Sequence, residues 1–371
     1  MRVEKLTIEK IYEIAEKIGE MIERGEPPLL EYPPASTSNI EFSEHEGYKF
    51  APKYWSKILG SHIKSVKTLA GVIFALERCL DHMKSGLTMT KRDFYYLHKV
   101  EKFKGTLFPS DQRETDTRIV LLELITGLSR EMLSITSDPR GEVYGDITLV
   151  DKSGNTIKLN KVGEMGYAVP PNPEHIKFKE INVKAVLAVE KVGPAKNMIE
   201  LKIPDEYNIA IAMLHGQPSR SMRRFLRMIS DKGVPIAVLV DLSPWSIRIA
   251  STVIYNSIHS AHIPGLATPT AKFIGIHSSD VEEGGFFEKV SKVALEPLTE
   301  EDLKCAKDNL SIPSLMGKTW IRENKWFLEK KKKAELEIFK AMIRKSSELK
   351  DLYIRYLNMK FEEHLNLSLK E

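Results

Sequence analysis

Short apolar runs that alternate with amphipathic stretches after residue 183 constrain the fold of this chain more than any other feature. Four of these runs have the length and composition of buried strands: residues 184–190, 208–214, 235–241 and 272–277. Three further stretches are predicted to be helices: residues 218–231, 245–259 and 299–309. Strands that alternate with helices form a parallel, doubly wound sheet, so we predict an α/β fold whose ligands bind beyond the carboxyl ends of the strands.

Two acidic residues follow predicted strands. Glu190 ends the apolar run of residues 185–189, and Asp241 ends the run of residues 236–240. Carboxylate oxygens at the open edge of such a sheet suit Mg²⁺, which prefers hard oxygen ligands. Acidic residues at strand ends also cap the following helix, and spacing alone leaves both interpretations open. We treat Glu190 and Asp241 as candidate metal ligands.

The residues before the sheet predict smaller elements. Isoleucines at helical spacing predict a helix over residues 6–24. Residues 27–50 contain a pair of adjacent prolines at each of two places and predict either an irregular tether or a plain surface loop. Helices are also predicted at residues 53–83 with a break near Gly60, 90–103, and 111–126 with Asp111 or Ser110 as cap and Gly127 as end.

A β-hairpin is predicted around the turn of residues 151–155, because alternating runs flank a turn that contains glycine. Helices followed by such a hairpin are typical of a winged-helix unit, which we assign to residues 52–165, with the hairpin as its wing. Residues 166–180 contain three prolines and are predicted to be a linker. Residues 319–364 are predicted to form a charged helical tail that includes Lys330 to Lys333.

An aromatic pair, Tyr95 and Tyr96, lies beside the cations Lys91 and Arg92. A phenol has a reference pKa of about 10, so it needs a cation, a metal or a base to act as a nucleophile at neutral pH. Most of the 12 tyrosines of the chain must be packing or surface residues. One tyrosine of the pair is therefore a candidate nucleophile, but only if a cation, a metal or a base lies beside it.

Basic residues cluster at residues 84–104 and again at residues 220–232. In the second cluster four arginines follow helical spacing: Arg220, Arg223, Arg224 and Arg227. One cationic helix face of this kind can hold nucleic-acid phosphates, although a solvated helix face has the same pattern. For Lys330 to Lys333 we favour the solvated face, because Glu329, Glu335 and Glu337 flank it.

Composition narrows the class of protein. With 55 basic and 51 acidic residues the net charge is only +4, so local clusters matter more than the total. Two cysteines, Cys79 and Cys305, fit a reducing compartment and do not form a zinc site by themselves. No apolar run has the length of a membrane span. We predict a soluble, intracellular protein with no membrane partner.

Six segments in a fixed order resemble the family of archaeal topoisomerase VI A subunits, whose eukaryotic relatives make meiotic double-strand breaks. The segments are residues 90–96 (TKRDFYY), 138–141 with 144–146 (DPRG and YGD), 189–191 (VEK), 216–220 with 223–226 (GQPSR and RRFL), 266–269 with 273–275 (LATP and FIG) and 332–335 (KKAE), the last in a matching C-terminal helix. The resemblance covers nearly the whole chain. It implies an N-terminal helical arm at residues 1–68, a CAP-like winged-helix domain at 69–165 and a Toprim domain with C-terminal helices at 166–371.

The resemblance also implies an activity. Tyr96 would be the nucleophile that forms a 5′-phosphotyrosyl bond to DNA, with Arg92 beside it and Mg²⁺ held by Glu190 and Asp241. Five basic residues would contact DNA: Lys91, Arg140, Arg220, Arg223 and Arg224. The implied partners are double-stranded DNA, a second copy of this chain in a homodimer, and a separate ATPase B subunit in an A2B2 heterotetramer.

One motif departs from the family pattern. The family has Asp-x-Asp-Pro-aromatic-Gly after the third Toprim strand, whereas this chain has Ser243 for the second aspartate and Ser246 for the glycine. A hydroxyl is a weaker ligand than a carboxylate, so metal affinity is expected to fall. Two alternatives to a cleaving topoisomerase subunit follow. One is a DNA-binding paralogue that does not cut, and the other is a metal nuclease that uses water as its nucleophile.

Overall fold

A computed structural model describes residues 2–97, 111–136 and 140–369. The chain divides into two compact units. The first consists of residues 1–41, 49–138 and 258–263, and the second of residues 42–48, 139–257 and 264–371. The domain boundaries at residues 68 and 165 were implied by the family resemblance, and they stay a prediction.

The described residues contain thirteen α-helices. They are α1 (Arg2–Glu23), α2 (Ile63–Lys84), α3 (Lys91–Leu97), α4 (Gln112–Thr126), α5 (Val192–Glu200), α6 (Ile203–Tyr207), α7 (Arg220–Ser230), α8 (Pro244–Tyr255), α9 (Glu288–Ala294), α10 (Glu300–Asn309), α11 (Lys318–Lys330), α12 (Ile338–Ala341) and α13 (Leu349–Leu365).

The strands of the described residues are mostly short. They are β1 (Leu29–Tyr32), β2 (Ile40–Ser43), β3 (Gly47–Phe50), β4 (Ser56–Leu59), β5 (Met89–Thr90), β6 (Ile135–Thr136), β7 (Glu142–Tyr144), β8 (Ile147–Val150), β9 (Thr156–Lys158), β10 (Tyr167–Ala168), β11 (Lys177–Ile181), β12 (Ala185–Val189), β13 (Ile209–Met213), β14 (Ile236–Leu239), β15 (Lys272–Gly275), β16 (Glu296–Pro297) and β17 (Lys332–Lys333).

The first unit is mainly helical around one apolar core. The predicted N-terminal helix is confirmed as α1, and α4 begins at the Asp111 cap and ends at Gly127 in the left-handed conformation, as predicted. Two expectations were wrong. Residues 27–50 are not irregular but contribute β1, β2 and β3, and the stretch before Gly60 is strand β4 instead of helix. Strand β4 satisfies its backbone by pairing antiparallel with β1 and buries Ile58.

The second unit contains the predicted parallel sheet. Its six strands run in the order β10-β7-β13-β12-β14-β15. Strands β13, β12, β14 and β15 run parallel to one another, whereas β7 pairs antiparallel with β13, and β10 pairs antiparallel with β7 at the edge. Every residue of β12, β13 and β14 is buried, which explains why these strands appear in the sequence as continuous apolar runs. All four predicted strands and the three predicted helices α7, α8 and α10 are confirmed.

The predicted β-hairpin is also confirmed, with Val150 opposite Thr156 across the turn. Its environment differs from the prediction. Strand β8 also pairs with β11, so the hairpin belongs to a three-stranded sheet within the second unit and not to the helical first unit. The linker predicted at residues 166–180 contains β10 and most of β11. These strands satisfy their backbone hydrogen bonds by pairing with β7 and β8.

The tail is not continuously helical. Helix α11 ends where Lys331 adopts the left-handed conformation, and residues 332–333 form β17 against β16. The prediction that residues 332–335 lie in a helix was therefore wrong. Lys333 binds Asp302 at 2.9 Å instead of lying on a solvated helix face. Within the part of the chain that is described, no helix combines the length and apolar character needed to cross a bilayer.

Candidate functional site

The helix that carries the tyrosine pair begins with a reciprocal cap. The backbone N–H of Thr90 donates to Asp93 Oδ2 at 2.9 Å, and the N–H of Asp93 donates to Thr90 Oγ1 at 3.0 Å. The hydrogen bond from Thr90 N–H is the main reason why the pKa of Asp93 lies below its ordinary value. Phe94 is fully buried and anchors α3 in the core of the first unit. A short helix is thus fixed by its own sequence at its start and by one aromatic side chain.

The two tyrosines differ in exposure. Tyr95 is half-buried, whereas the Tyr96 side chain is 52% exposed. Their rings meet edge to face at 5.4 Å, and the guanidinium of Arg92 lies 5.9 Å from the centroid of the Tyr96 ring. Lys91 is engaged with Asp116 at 2.7 Å. Tyr96 is therefore the member of the pair that presents its ring to solvent beside a cation.

The remaining cations of the first basic cluster include Lys99, Lys102 and Lys104. These three residues lie outside the described part of the chain, as do Asp138 and Pro139 of the second motif segment.

Glu190 and Asp241 meet at the carboxyl edge of the parallel sheet. They follow the neighbouring strands β12 and β14, and the backbone N–H of Asp241 donates to Glu190 Oε2 at 3.1 Å. Both residues are buried, with 8% and 7% of their surface exposed. The turn after β13 closes against the same edge, because Gly216 N–H donates to the Glu190 carbonyl at 2.9 Å. The sheet therefore brings together the two carboxylates that the sequence left on separate strands.

Burial controls the protonation of this pair. It raises the pKa of Glu190, against hydrogen bonds from Asp241 N–H and the Ser246 hydroxyl that lower it. Burial and the neighbouring Glu190 charge together raise the pKa of Asp241 to about 7. The charges of these two buried carboxylates repel each other, so a cation placed beside them lowers their energy.

Lys191 supplies one cation to this edge. Its Nζ lies 3.1 Å from Asp241 Oδ2, 3.0 Å from Glu335 Oε2 and 3.0 Å from Glu337 Oε2. Burial acts to lower the pKa of Lys191, but the Asp241 charge and the hydrogen bonds to Glu337 and Glu335 outweigh it and raise the pKa. The other oxygen of Asp241, Oδ1, accepts the backbone N–H of Leu336 at 2.8 Å.

Sequence reasoning missed Lys191, Glu335 and Glu337 as parts of this edge. The two glutamates come from the segment after α11, which is held to the sheet by a bridge in which Leu242 N–H donates to the Ala334 carbonyl at 2.9 Å. Residues 334–337, before α12 begins, alternate apolar and acidic, and that alternation could have separated them from a continuous helix.

Ser243 has a structural partner. It is the N-cap of α8, with its hydroxyl accepting the backbone N–H of Ser246 at 3.1 Å and donating to Ser246 Oγ at 2.8 Å. The Ser246 hydroxyl in turn hydrogen-bonds to Glu190. Ser243 and Ser246 are therefore connected to each other and to the buried glutamate.

The arginines of α7 do not form one solvated face. Arg223 is 5% exposed and donates to Asn256 Oδ1 at 2.7 Å. Arg224 pairs through two nitrogens with Glu174, and Arg227 pairs with Asp231 at 2.6 Å. Arg220 is half-buried at the start of the helix. The expected common face is contradicted for Arg223, because helix packing buries that side chain against Asn256.

Arg140 is exposed next to the start of α7, where the Ser219 hydroxyl donates to its carbonyl at 2.9 Å. On the adjacent turn His215 Nε2 lies 2.5 Å from Glu142 Oε2. Neither His215 nor Glu142 was singled out from the sequence.

Glu190 and Asp241 define an acidic edge of the parallel sheet. Its ligand atoms are hard carboxylate oxygens, which suit Mg²⁺. Two carboxylates are in place, with hydrogen bonds that fix their orientation. Among the residues that are described, no group of three or more histidine, cysteine or acidic side chains converges as a metal cage. Any divalent ion held here must therefore complete its shell with water or substrate oxygens.

Three family models match consecutive parts of the chain. Residues 67–135 match a model described as type IIB DNA topoisomerase, and residues 140–182 match the all-beta domain of the DNA topoisomerase VI alpha chain. Residues 185–361 match the Toprim domain that is shared by the A subunit of topoisomerase 6 and Spo11. The all-beta match covers the hairpin region that lies in the second unit.

Curated archaeal proteins are similar over most of their length. A protein of Methanosarcina barkeri, named as the A subunit of type 2 DNA topoisomerase 6, is 32% identical over 345 residues, which are 90% of this chain and 90% of that protein. The proteins of the same name from Pyrococcus horikoshii and Natronomonas pharaonis are 33% and 30% identical. Those alignments cover 87% of this chain and 86% of the Pyrococcus protein, and 90% of both chains for Natronomonas.

Proposed function

The chain belongs to the family formed by the topoisomerase 6 A subunits and Spo11, and from this premise we propose that it is the DNA-cleaving and rejoining subunit of a type IIB topoisomerase. The Tyr96 oxygen forms an ester to a DNA 5′ phosphate while the 3′ oxygen leaves. Because the phosphotyrosine bond conserves the energy of the broken phosphodiester, resealing needs no further input. The observation that carries the proposal is the exposure of Tyr96 beside Arg92 at the end of a motif that the family shares.

Arg92 is assigned to the reacting tyrosine. Its guanidinium keeps a positive charge at any physiological pH and lies near the Tyr96 ring. A cation there stabilises a developing phenolate and attracts the phosphate that is attacked. Lys91, Arg140, Arg220, Arg223 and Arg224 are proposed to contact DNA. Exposure supports Arg140, Arg220 is half-buried at the start of α7, and Arg223 needs a local rearrangement to reach a phosphate.

Glu190 and Asp241 are proposed to hold Mg²⁺. The hydrogen bond from Asp241 N–H to Glu190, the burial of both residues and the raised pKa of Asp241 all favour a cation at this edge. The bound ion would neutralise charge on the phosphodiester oxygens during transfer. The protein's own contribution is orientation: Leu336 N–H fixes one oxygen of Asp241, and Asp241 N–H and Ser246 fix Glu190.

We propose the quaternary structure of the protein from the same family membership. Two copies of the chain form a homodimer around double-stranded DNA, and a separate ATPase B subunit completes an A2B2 heterotetramer that drives strand passage. The protein would act in the cytoplasm on the nucleoid.

Trapping of a covalent adduct tests the proposal. The protein is incubated with end-labelled duplex DNA, Mg²⁺ and the B subunit, and then denatured. We expect label on the protein through a 5′ phosphate, and loss of that label in Tyr96→Phe. Cleavage without label on the protein would support a nuclease that uses water, and it would overturn the role of Tyr96.

A second candidate, a DNA-binding paralogue that does not cut, is favoured by Ser243. This residue replaces a family carboxylate, and its hydroxyl is used to cap α8. Tight DNA binding with neither cleavage nor adduct, at any Mg²⁺ concentration, would make this paralogue the better description.

A further inference from the structure

Lys191 lies at the centre of an acidic cluster, which consists of Glu190, Asp241, Glu335 and Glu337. Its ammonium bridges an inner, buried carboxylate and two outer carboxylates whose side chains are 50% and 46% exposed. Lys191 itself is 27% exposed. Three oxygens within 3.1 Å fill the donor capacity of one ammonium group.

Lys191 and Leu336 between them engage both carboxylate oxygens of Asp241. Oδ1 accepts the N–H of Leu336, and Oδ2 carries the Lys191 ammonium. A second divalent ion at this carboxylate would compete with the ammonium for Oδ2 and would need further oxygen ligands. Residue 243 carries a hydroxyl where the family motif has a carboxylate, and that hydroxyl is committed to Ser246.

We propose that Lys191 is a built-in cation that takes the place of a second metal ion, so that this edge binds one divalent ion and not two. Lys191 is then a positioning residue: it holds Oδ2 of Asp241 and leaves Glu190 and the remaining lone pairs of Asp241 for a single ion. This inference rests on the proposed metal site.

The outer glutamates are the anchor of the ammonium. Both belong to the segment that is fixed to the sheet by the bridge between Leu242 and Ala334, so they keep Lys191 in the cluster when an ion arrives. Four carboxylates and one ammonium leave three net negative charges when all are ionised. One divalent ion reduces that excess to one. Without Lys191 the four ionised carboxylates carry four negative charges, which two divalent ions would neutralise.

The test counts Mn²⁺ ions bound per chain in the metal-free, full-length protein, by the electron paramagnetic resonance signal of free Mn²⁺ and by calorimetry. The unaltered protein should bind one ion. Lys191→Met should bind two, or bind the first about tenfold more tightly, because a competing charge has been removed. Lys191→Arg keeps the charge and should remain at one.

Two controls separate this role from a purely structural one. Lys196→Met removes an exposed cation of α5 that pairs with Glu200 at 3.6 Å, and it should leave Mn²⁺ binding unchanged. The double variant Glu335→Gln, Glu337→Gln changes exposed side chains, so its folding is secure even if Lys191→Met folds poorly. It releases the ammonium onto Asp241 and should weaken Mn²⁺ binding about tenfold.

The outcomes are distinct. One ion per chain in the unaltered protein, with the same number and affinity in Lys191→Met and in the double glutamine variant, overturns the inference and leaves the metal site intact. No ion bound by the unaltered protein overturns the metal site and the inference together. A second ion gained by Lys191→Met, and not by Lys191→Arg, is the result that supports it.

Discussion

The tyrosine helix and the acidic edge of the sheet present reactive groups in opposite ways. Tyr96 is half-exposed on a seven-residue helix that one buried aromatic ring anchors. Glu190 and Asp241 are buried at the ends of central strands, and named hydrogen bonds hold at least one oxygen of each. The first region can lose its functional group without losing packing. In the second region, chemistry and stability depend on the same atoms.

The largest effect is expected at the first region. Tyr96→Phe removes the only atom that forms the proposed ester, so covalent adducts should fall below detection, whereas DNA affinity and the free energy of unfolding stay nearly unchanged. Adducts are measured by label retained on denatured protein. Tyr95→Phe is the matched control, because adjacent helical side chains point about 100° apart and only one faces the substrate. Adducts that survive in Tyr96→Phe and vanish in Tyr95→Phe would reverse the assignment.

The next effect probes the second region through pH. The pKa of Asp241 in the folded protein is about 7, above the ordinary 3.8. The folded state therefore holds this proton more tightly than the unfolded state does. The stabilisation is complete below about pH 4 and is lost as the pH rises through 7. Without divalent ions, the unfolding free energy of the protein should fall over this range by on the order of 3 kcal/mol relative to Asp241→Asn.

Denaturant titrations of both proteins at pH 4.5 and pH 8 measure this difference. Asparagine keeps an acceptor for the N–H of Leu336, so the comparison isolates the charge. Excess Mg²⁺ should flatten the pH dependence of the unaltered protein. Parallel pH profiles for the two proteins would show that the Asp241 charge is not destabilising.

A smaller effect separates two arginines of one helix. Arg223→Met should cost about 2 kcal/mol of unfolding free energy, because a buried charge-assisted hydrogen bond to Asn256 is lost. Arg220→Met should cost less than about 0.5 kcal/mol and should lower the salt slope of DNA binding by about 0.9, the effect of one phosphate contact. Denaturant melts and salt titrations measure the two quantities. Equal stability losses would contradict the division between them.

The smallest effect concerns Ser243. Aspartate caps helices as well as serine does, so Ser243→Asp should change the unfolding free energy by less than about 0.5 kcal/mol. The added carboxylate should lower the Mg²⁺ concentration for half-maximal cleavage complex by several-fold. Ser243→Ala is the control and should cost about 1 kcal/mol through loss of the cap. An unmoved Mg²⁺ curve, with both proteins cutting, would show that residue 243 does not reach the ion.

The two regions also differ in how far the sequence predicts them. The start of α3 follows from Thr90 and Asp93, which are three residues apart, and its exposed tyrosine follows from helix geometry. The parallel strands follow from apolar runs that are buried on both faces. Such features depend on contacts within a few residues or on burial alone.

The acidic edge depends on contacts between residues that are far apart in the sequence. For this region the sequence predicted only some of the residues. The strand ends at Glu190 and Asp241 were found, because parallel strands end at one edge. Lys191 and its glutamates were missed, since Glu337 lies 146 residues away and the segment that carries it was predicted to be helical. Arg223 was misplaced for a related reason: helical spacing does not reveal that Asn256 lies against one side of α7.

The bridge between Leu242 and Ala334 has a consequence for biosynthesis. A ribosome releases Glu190 and Asp241 long before it reaches the segment at residues 334–337, and domains begin to fold as they emerge. A nascent chain that already has β15 still lacks the N–H that fixes Asp241 and both glutamates that hold Lys191. The acidic edge is thus completed only after the strands of the sheet have been synthesised. A nascent chain that has not reached residue 334 therefore has an incomplete metal site.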